Sequence, residues 1–320
     1  MELDVFQLLT AWTWSEDFDL QRRFAELAEE LRPHGFSELA EDTNLLLRCC
    51  AAIVGGDTSP TAFISLKGAD VRDRFDDIEN GIKGAIDFLR KNMRVETLAN
   101  LPYPACLVPL SVFFARKSLT LKDDQRKILV KSFWRSCFSR GYSAGVIRNL
   151  NRDIEEAANL NLREGRPSSL GEFLAPVDTA FFEQSFTIGT VNTRTFILLL
   201  AQQEPLSFVS GQSVTLSKVL QAYNRNEFHH LMPRAYLKGL DRETWEINAL
   251  VNFAIIAASD NKTLGGVAPS EYKRHIPAAK MQLILDRSLC PDALFTDDFD
   301  QFVGDRSSRL LEAVKVLTAS

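Results

Sequence analysis

Apolar side chains spaced three and four residues apart constrain this chain more than any other feature. In "VRDRFDDIENGIKGAIDFLRKN", residues 71–92, Val71, Phe75, Ile78, Ile82, Ile86 and Leu89 form one stripe with charge around the remainder. That spacing predicts a helix that buries one face. The stretch "DLQRRFAELAEELRPHG" at 19–35 repeats the pattern through Leu20, Phe24, Leu27 and Leu31. It opens on Asp19, a side chain suited to capping a helix, and stops at Pro33 and Gly35. Residues 121–138 and 146–162 read the same way. No segment recurs at a fixed period, so a solenoid is not expected. Gly, Pro and Ser gather in "GRPSSLGEFLAPVD" at 165–178, which predicts a break between a helical domain over 1–175 and a second domain over 176–320.

The 320 residues, 45% hydrophobic and 25% charged, have the make-up of a soluble protein with room for one large or two ordinary domains. The longest apolar runs, "FILLLA" at 196–201 and "ALVNFAIIAA" at 249–258, fall short of the roughly 18 residues that a membrane span needs. The first residues, "MELDVFQLLTAWTW", lack the basic lead and small-residue cleavage site of a secretory signal, so a cytoplasmic protein with no membrane partner is expected. Five cysteines at 49, 50, 106, 137 and 290 include no C-x-x-C spacing. They read as buried small apolar residues, not as disulfides or a zinc knuckle.

A net charge of −5 requires any nucleic-acid contact to be made by a local basic patch. The most basic stretch is 116–152, where Arg116, Lys117, Lys122, Arg126, Lys127, Lys131, Arg135, Arg140, Arg148 and Arg152 interleave with Phe133, Trp134, Phe138 and Tyr142. Such a pattern suits a surface tracking phosphates. It equally suits a solvated helix face around core aromatics, and the second reading is the commoner one.

After Ser210 the pattern changes, through "SVTLSKVLQAYNRNEFHH". "NEFHHLMPRAYL" places His229 and His230 side by side, and "INALVNFAIIAASDNK" follows. The run Phe253 through Ala258 is β-compatible, and "SDNK" resembles a helix start with Ser259 as a cap. The order is a strand with two histidines, a connector, a second strand preceded by Asn252, then a short helix with Asn261 in its first turn. Phosphodiester hydrolysis needs a base for water, a cation against the charge on the leaving oxygen, and a rigid frame that aligns them. Histidine suits the first task because its ordinary pKa lies near neutrality.

The block "EFHHLMPRAYL…INALVNFAIIAASDNK" resembles the HNH, or ββα-metal, nucleases, in particular the nuclease domains of GmrSD-type restriction proteins of bacterial antiphage defence. The HNH domains of CRISPR effector nucleases look like more distant relatives. The likeness is specific over about 205–280 and extends more weakly to "FQLLTAWTWSEDFDL" and "FWRSCFSRGY" in the helical part. It implies His230 as general base, His229 as its metal-binding neighbour, Asn252 as the middle asparagine, and Asn261 as the second metal ligand. Arg234 and Lys262 are candidates for phosphate contacts, and Tyr272, Lys273 and Arg274 read as DNA-facing or solvated.

The expected fold class is therefore mainly α with a small α+β module: a helical N-terminal domain, a ββα-metal nuclease domain and C-terminal helices such as "SSRLLEAVKVL" at 307–317. The expected cofactor is one divalent cation, Mg²⁺ or Mn²⁺, with Ni²⁺ a third candidate. Many relatives carry Asp or Glu where His229 stands, and a neutral imidazole favours the softer ions in relative terms. Glu227 could restore the charge. On a regular strand His229 and His230 point to opposite faces, which leaves open a swapped assignment with His229 as base. Another asparagine of the connector, Asn248, competes with Asn252 for bracing the histidine loop.

The expected partner is foreign DNA. Relatives commonly begin with a ParB-like NTP-binding domain bearing an Asp-Gly-Gln-Gln-Arg type motif. No such string occurs here, so that part is expected on another polypeptide or outside this stretch. A homodimer is the expectation for cutting both strands, since one metal centre cuts one strand at a time. Two competing readings share the fold: a DNA-binding regulatory subunit that no longer cuts, and an RNase toxin.

Overall fold

A computed structural model describes residues 5–116, 120–160, 168–172, 177–223 and 228–319. The protein is mostly helical and divides into two compact units, residues 1–174 and 175–319.

The first unit is built from α1 (Val5–Thr13), α2 (Leu20–Leu31), α3 (Thr43–Gly55), α4 (Pro60–Ser65), α5 (Gly68–Asp73), α6 (Phe75–Met93), α7 (Leu107–Phe114), α8 (Asp123–Phe138) and α9 (Val146–Leu160). Asp19 caps α2, its carboxylate accepting from Arg22 N at 2.9 Å. Leu20, Phe24, Leu27 and Leu31 are buried, and Gly35 ends the segment at φ +82. A side chain at Gly35 would run into the Glu96 carbonyl, so only glycine serves this stop.

The apolar stripe predicted over 71–92 is buried as read, but it spans two helices. The chain leaves helical geometry at Arg74, φ −109 and ψ 13. There Arg74 Nη1 donates to Ile53 O at 2.6 Å, answering an orphan carbonyl at the end of α3. A contact from another helix overrides the local periodicity.

The second unit contains α10 (Val191–Gln202), α11 (Leu216–Ala222), β1 (Phe228–His230), α12 (Arg234–Gly239), α13 (Thr244–Ile247), β2 (Phe253–Ile255), α14 (Ala258–Leu264), α15 (Pro269–Tyr272), α16 (Met281–Arg287) and α17 (Phe299–Ala319). β1 and β2 form an antiparallel pair in the register Phe228↔Ile255, His229↔Ala254 and His230↔Phe253. β2 stops three residues before the predicted end, because α14 already begins at Ala258. Its N-cap is Ala257, so Ser259 lies inside the first turn and not at the cap.

The two faces of the pair bury different partners. Ala254 and Ile256 join a core with Leu264 of α14, Tyr272, Ile284 and Phe302. On the other face Phe186 stacks on Phe253, ring centroids 4.1 Å apart and 17° from parallel. Neither strand could stand alone at three residues, so these packed faces hold the pair.

Arg306 on α17 fastens the frame. Fully buried, it donates through Nη1 to Val251 O and to Phe253 O (2.8 Å), and through Nη2 to Ser288 O (3.2 Å). No helix among the described residues is long and apolar enough to cross a membrane.

Candidate functional site

The hairpin presents its two histidines differently. Residues directly opposed across antiparallel strands share a face, so His229 lies with Ala254 on the α14 side of the sheet. His230 lies with Phe253 on the other side, their ring centroids 4.3 Å apart. β1 carries no bulge and ends at His230. Both rings are half-buried, and Nε2 of His229 is shut off from solvent.

Asn248 Oδ1 stands 3.2 Å from His230 Nε2. The amide of Asn248 is itself oriented, because its Nδ2 donates to Thr244 O at 2.8 Å. The sequence raised Asn248 as a competitor for bracing the histidine loop, and the structure turns it to the histidine ring itself.

The brace is Asn252. Completely buried, its Oδ1 accepts from Met232 N at 2.9 Å and its Nδ2 donates to Met232 O (3.1 Å) and Ile247 O (3.0 Å). Its main-chain carbonyl accepts from Leu231 N at 2.8 Å. These bonds use every donor and hold the connector between the strands to the residues just after β1. Of the two roles expected for Asn252, a part in the chemistry and a brace for the histidine loop, this enclosure and these bonds support the brace.

Asn261 projects from α14 as an exposed residue, as does Lys262, and Arg234 is exposed at the start of α12. The neighbour of Asn261, Asp260, is buried, with Oδ2 3.5 Å from Val209 N. Glu227 lies outside the described residues. Among the described residues no three His, Cys, Asp or Glu side chains gather as a metal-holding group. The two ligands that the resemblance implies, His229 and Asn261, would offer an imidazole and an amide. This neutral set fits a borderline cation that keeps most of its waters better than it fits Mg²⁺, which favours carboxylate oxygens.

Other residues singled out by their sequence pattern resolve into structure. Tyr272, read as DNA-facing or solvated, is buried, and its hydroxyl donates to Leu231 O at 2.7 Å. Lys273 and Arg274 are exposed, with Lys273 Nζ over the Phe295 ring at 4.8 Å. In the basic stretch Phe133, Trp134, Phe138 and Tyr142 are all buried. They form core contacts such as Phe133 against Trp134 at 5.4 Å, so they offer no stacking surface to a nucleic acid. Arg126 and Lys127 pair with Asp123, and Arg152 pairs with Asp153. Lys117 lies outside the described residues.

All five cysteines are free and buried, and burial pushes the thiol pKa of Cys49 up to about 12 and of Cys290 to about 11. No local signal in the sequence marks Phe186, Tyr272 or Arg306 as supports of the hairpin. Each reaches it from far along the chain, and only an alignment of co-varying positions could have linked them.

No family model matches the chain. Over 179 residues it is 20% identical to the uncharacterized protein MJ0686 of Methanocaldococcus jannaschii. That stretch covers 55% of this chain and 29% of the relative, so the chain spans less than a third of that protein's length.

Proposed function

We propose that the second unit is a metal-dependent endonuclease module of the HNH type, acting on DNA. The observation that carries this reading is the succession of an antiparallel pair bearing His229 and His230, a connector closed by Asn252, and a helix presenting Asn261.

In this reading His230 takes a proton from the attacking water, and its ring is held between Asn248 and Phe253. Asn252 keeps the end of β1 in place relative to β2. Arg234 and Lys262, both exposed, contact phosphate oxygens and set the strand's path. His229 and Asn261 would hold the cation, which supplies charge neutralisation at the phosphate and at the departing 3′ oxygen. The products are 5′-phosphate and 3′-hydroxyl ends. Restriction of foreign DNA, with a dimer or a separate NTP-binding partner, belongs to the same proposal.

One observation favours a second assignment within this function. His229, not His230, is paired with Ala254, whose face packs with Leu264 of α14, the helix that carries Asn261, which supports His229 as base if the cation is held by α14 and water alone. The two are separated by Mn²⁺ titration: a ligand variant, His229→Ala, loses metal affinity, whereas a base variant retains it and loses cutting.

The test of the function is plasmid nicking by the purified chain with Mg²⁺, Mn²⁺ or Ni²⁺, alongside His230→Ala and Asn261→Ala. Metal-dependent nicking lost in both variants is the expected result. No nicking with any metal, together with no Mn²⁺ affinity that depends on Asn261, would refute the nuclease and favour a silent DNA-binding subunit. Matched RNA and DNA substrates separate a ribonuclease from the proposed activity.

A further inference from the structure

We propose that Asn248 is a positioning residue that fixes which ring nitrogen of His230 is basic. The consequence for cutting rests on the reading of His230 as general base; the tautomer itself is a property of the folded chain.

The Asn248 amide is held from several sides. Asn248 ends α13, where both its main-chain N–H (3.1 Å) and its Nδ2 (2.8 Å) donate to Thr244 O. Its own carbonyl accepts from Phe186 N at 2.7 Å, and the next residue, Ala249, bridges to Ser185. With Nδ2 committed to Thr244, the oxygen is the end of the amide turned to His230 Nε2, at 3.2 Å. An amide oxygen only accepts, so a neutral His230 must carry its proton on Nε2, and the lone pair falls on Nδ1.

Phe253 limits the remaining freedom, with its ring centroid 4.3 Å from that of His230 and the planes at 43°. A 180° ring flip, which puts Cε1 where Nε2 stands and Cδ2 where Nδ1 stands, would break the bond to Asn248 and leave that oxygen facing carbon. The base is thereby oriented by a side chain 18 residues further along the chain, outside the two-histidine strand. Such supporting bonds to an imidazole set its orientation and proton position, and their removal typically lowers function about 10- to 100-fold.

The experiment uses the full chain labelled with ¹⁵N-histidine, without added metal, at about pH 8, above the ordinary imidazole pKa of about 6.5. Long-range ¹H–¹⁵N correlation reads which ring nitrogen is protonated for each of the four histidines, and His230→Gln identifies the signals of interest. The wild type should show His230 as the single Nε2–H tautomer. Asn248→Ala should populate both tautomers, whereas Asn248→Asp, which keeps an acceptor at that place, should retain Nε2–H.

An Nδ1–H wild type overturns the proposal, and so does a folded Asn248→Ala protein that keeps one pure Nε2–H form. The wild-type spectrum decides the first point with no variant, so a poorly folding substitution does not rescue the idea. In the nicking assay Asn248→Ala should lower kcat by roughly 10- to 100-fold with KM little changed. Absence of nicking by the wild type, together with no Mn²⁺ affinity that depends on Asn261, would sink the nuclease reading and leave the tautomer to be judged by the spectrum alone.

Discussion

Replacing Asn252 by alanine removes three hydrogen bonds from a site with no solvent access. The Met232 N–H and the carbonyls of Met232 and Ile247 lose the partner that Asn252 gave them. A buried polar group stripped of its partner costs about 1–3 kcal/mol, with carbonyls toward the low end because of their second lone pair. The sum is about 3–5 kcal/mol, a large part of the 5–15 kcal/mol that typically separates folded from unfolded domains. Asn252→Asp sharpens the test. It keeps the shape and the acceptor but replaces both donors with oxygen, which then opposes two carbonyls. Burial would raise the pKa of this new carboxyl in the folded state above its unfolded value of about 4. A carboxyl with a raised folded pKa contributes least below its unfolded pKa and increasingly destabilises as pH rises through the folded one. The deficit of Asn252→Asp relative to wild type should therefore grow from about pH 4 toward neutrality, while that of Asn252→Ala stays flat. Urea unfolding gives the free energies, and hydrogen exchange followed by mass spectrometry over 228–256 locates the loss. An Asn252→Ala protein within about 1 kcal/mol of wild type, with unchanged exchange in the hairpin, would refute the brace and restore Asn252 as a candidate for the chemistry.

Arg306→Met removes the guanidinium whose pKa burial has drawn down to about 10 and strands the carbonyls of Val251, Phe253 and Ser288. Exchange should accelerate in the peptides around 250–256 and 284–290, with a loss of about 3–5 kcal/mol; unaltered protection there would show that the frame does not depend on it. In the first unit, burial raises the carboxyl pKa of Asp153, which accepts from Tyr142 at 2.6 Å and is partly offset by Arg152. Because the folded value lies above the unfolded one, this group favours folding most at low pH and loses that advantage as pH rises through the raised value. Asp153→Asn should flatten that part of the stability profile, and an unchanged slope in thermal melts from about pH 4 to 7 would contradict it. Gly171→Ala should destabilise the same unit by more than about 1 kcal/mol, since Gly171 sits at φ +68 and a methyl group there would meet the Ser132 main chain; equal urea midpoints would refute this. For the proposed cation, Asn261→Ala should weaken Mn²⁺ binding in calorimetry by roughly tenfold or more, and an unchanged isotherm would remove Asn261 from the ligand set.

How much of this is legible in the sequence differs between the two halves of the chain. The helices of the first unit follow from apolar spacing because a stripe repeated every three or four residues buries the same face wherever the helix docks, and Asp19 acts through a bond to its own neighbour while Gly35 supplies a left-handed stop. The break at Arg74 is hidden, since it answers a carbonyl on α3. In the second unit the order of strand, strand and helix is readable from "FHH", "NFAIIA" and "SDNK". The strand end at Ile255 is not, because α14 takes over before the β-compatible run is exhausted.

What the sequence determined by itself is the helical class, the position of the histidine pair and the alternation that sends His229 and His230 to opposite faces, all consequences of local geometry with periods of 3.6 and 2. The tertiary structure alone decided which face meets α14, which asparagine is enclosed and which turns to a histidine. Those outcomes depend on groups distant in sequence, Phe186, Tyr272 and Arg306 among them, arriving at one hairpin. Their energies come from satisfying buried donors and acceptors, and no local pattern records which partner will be there.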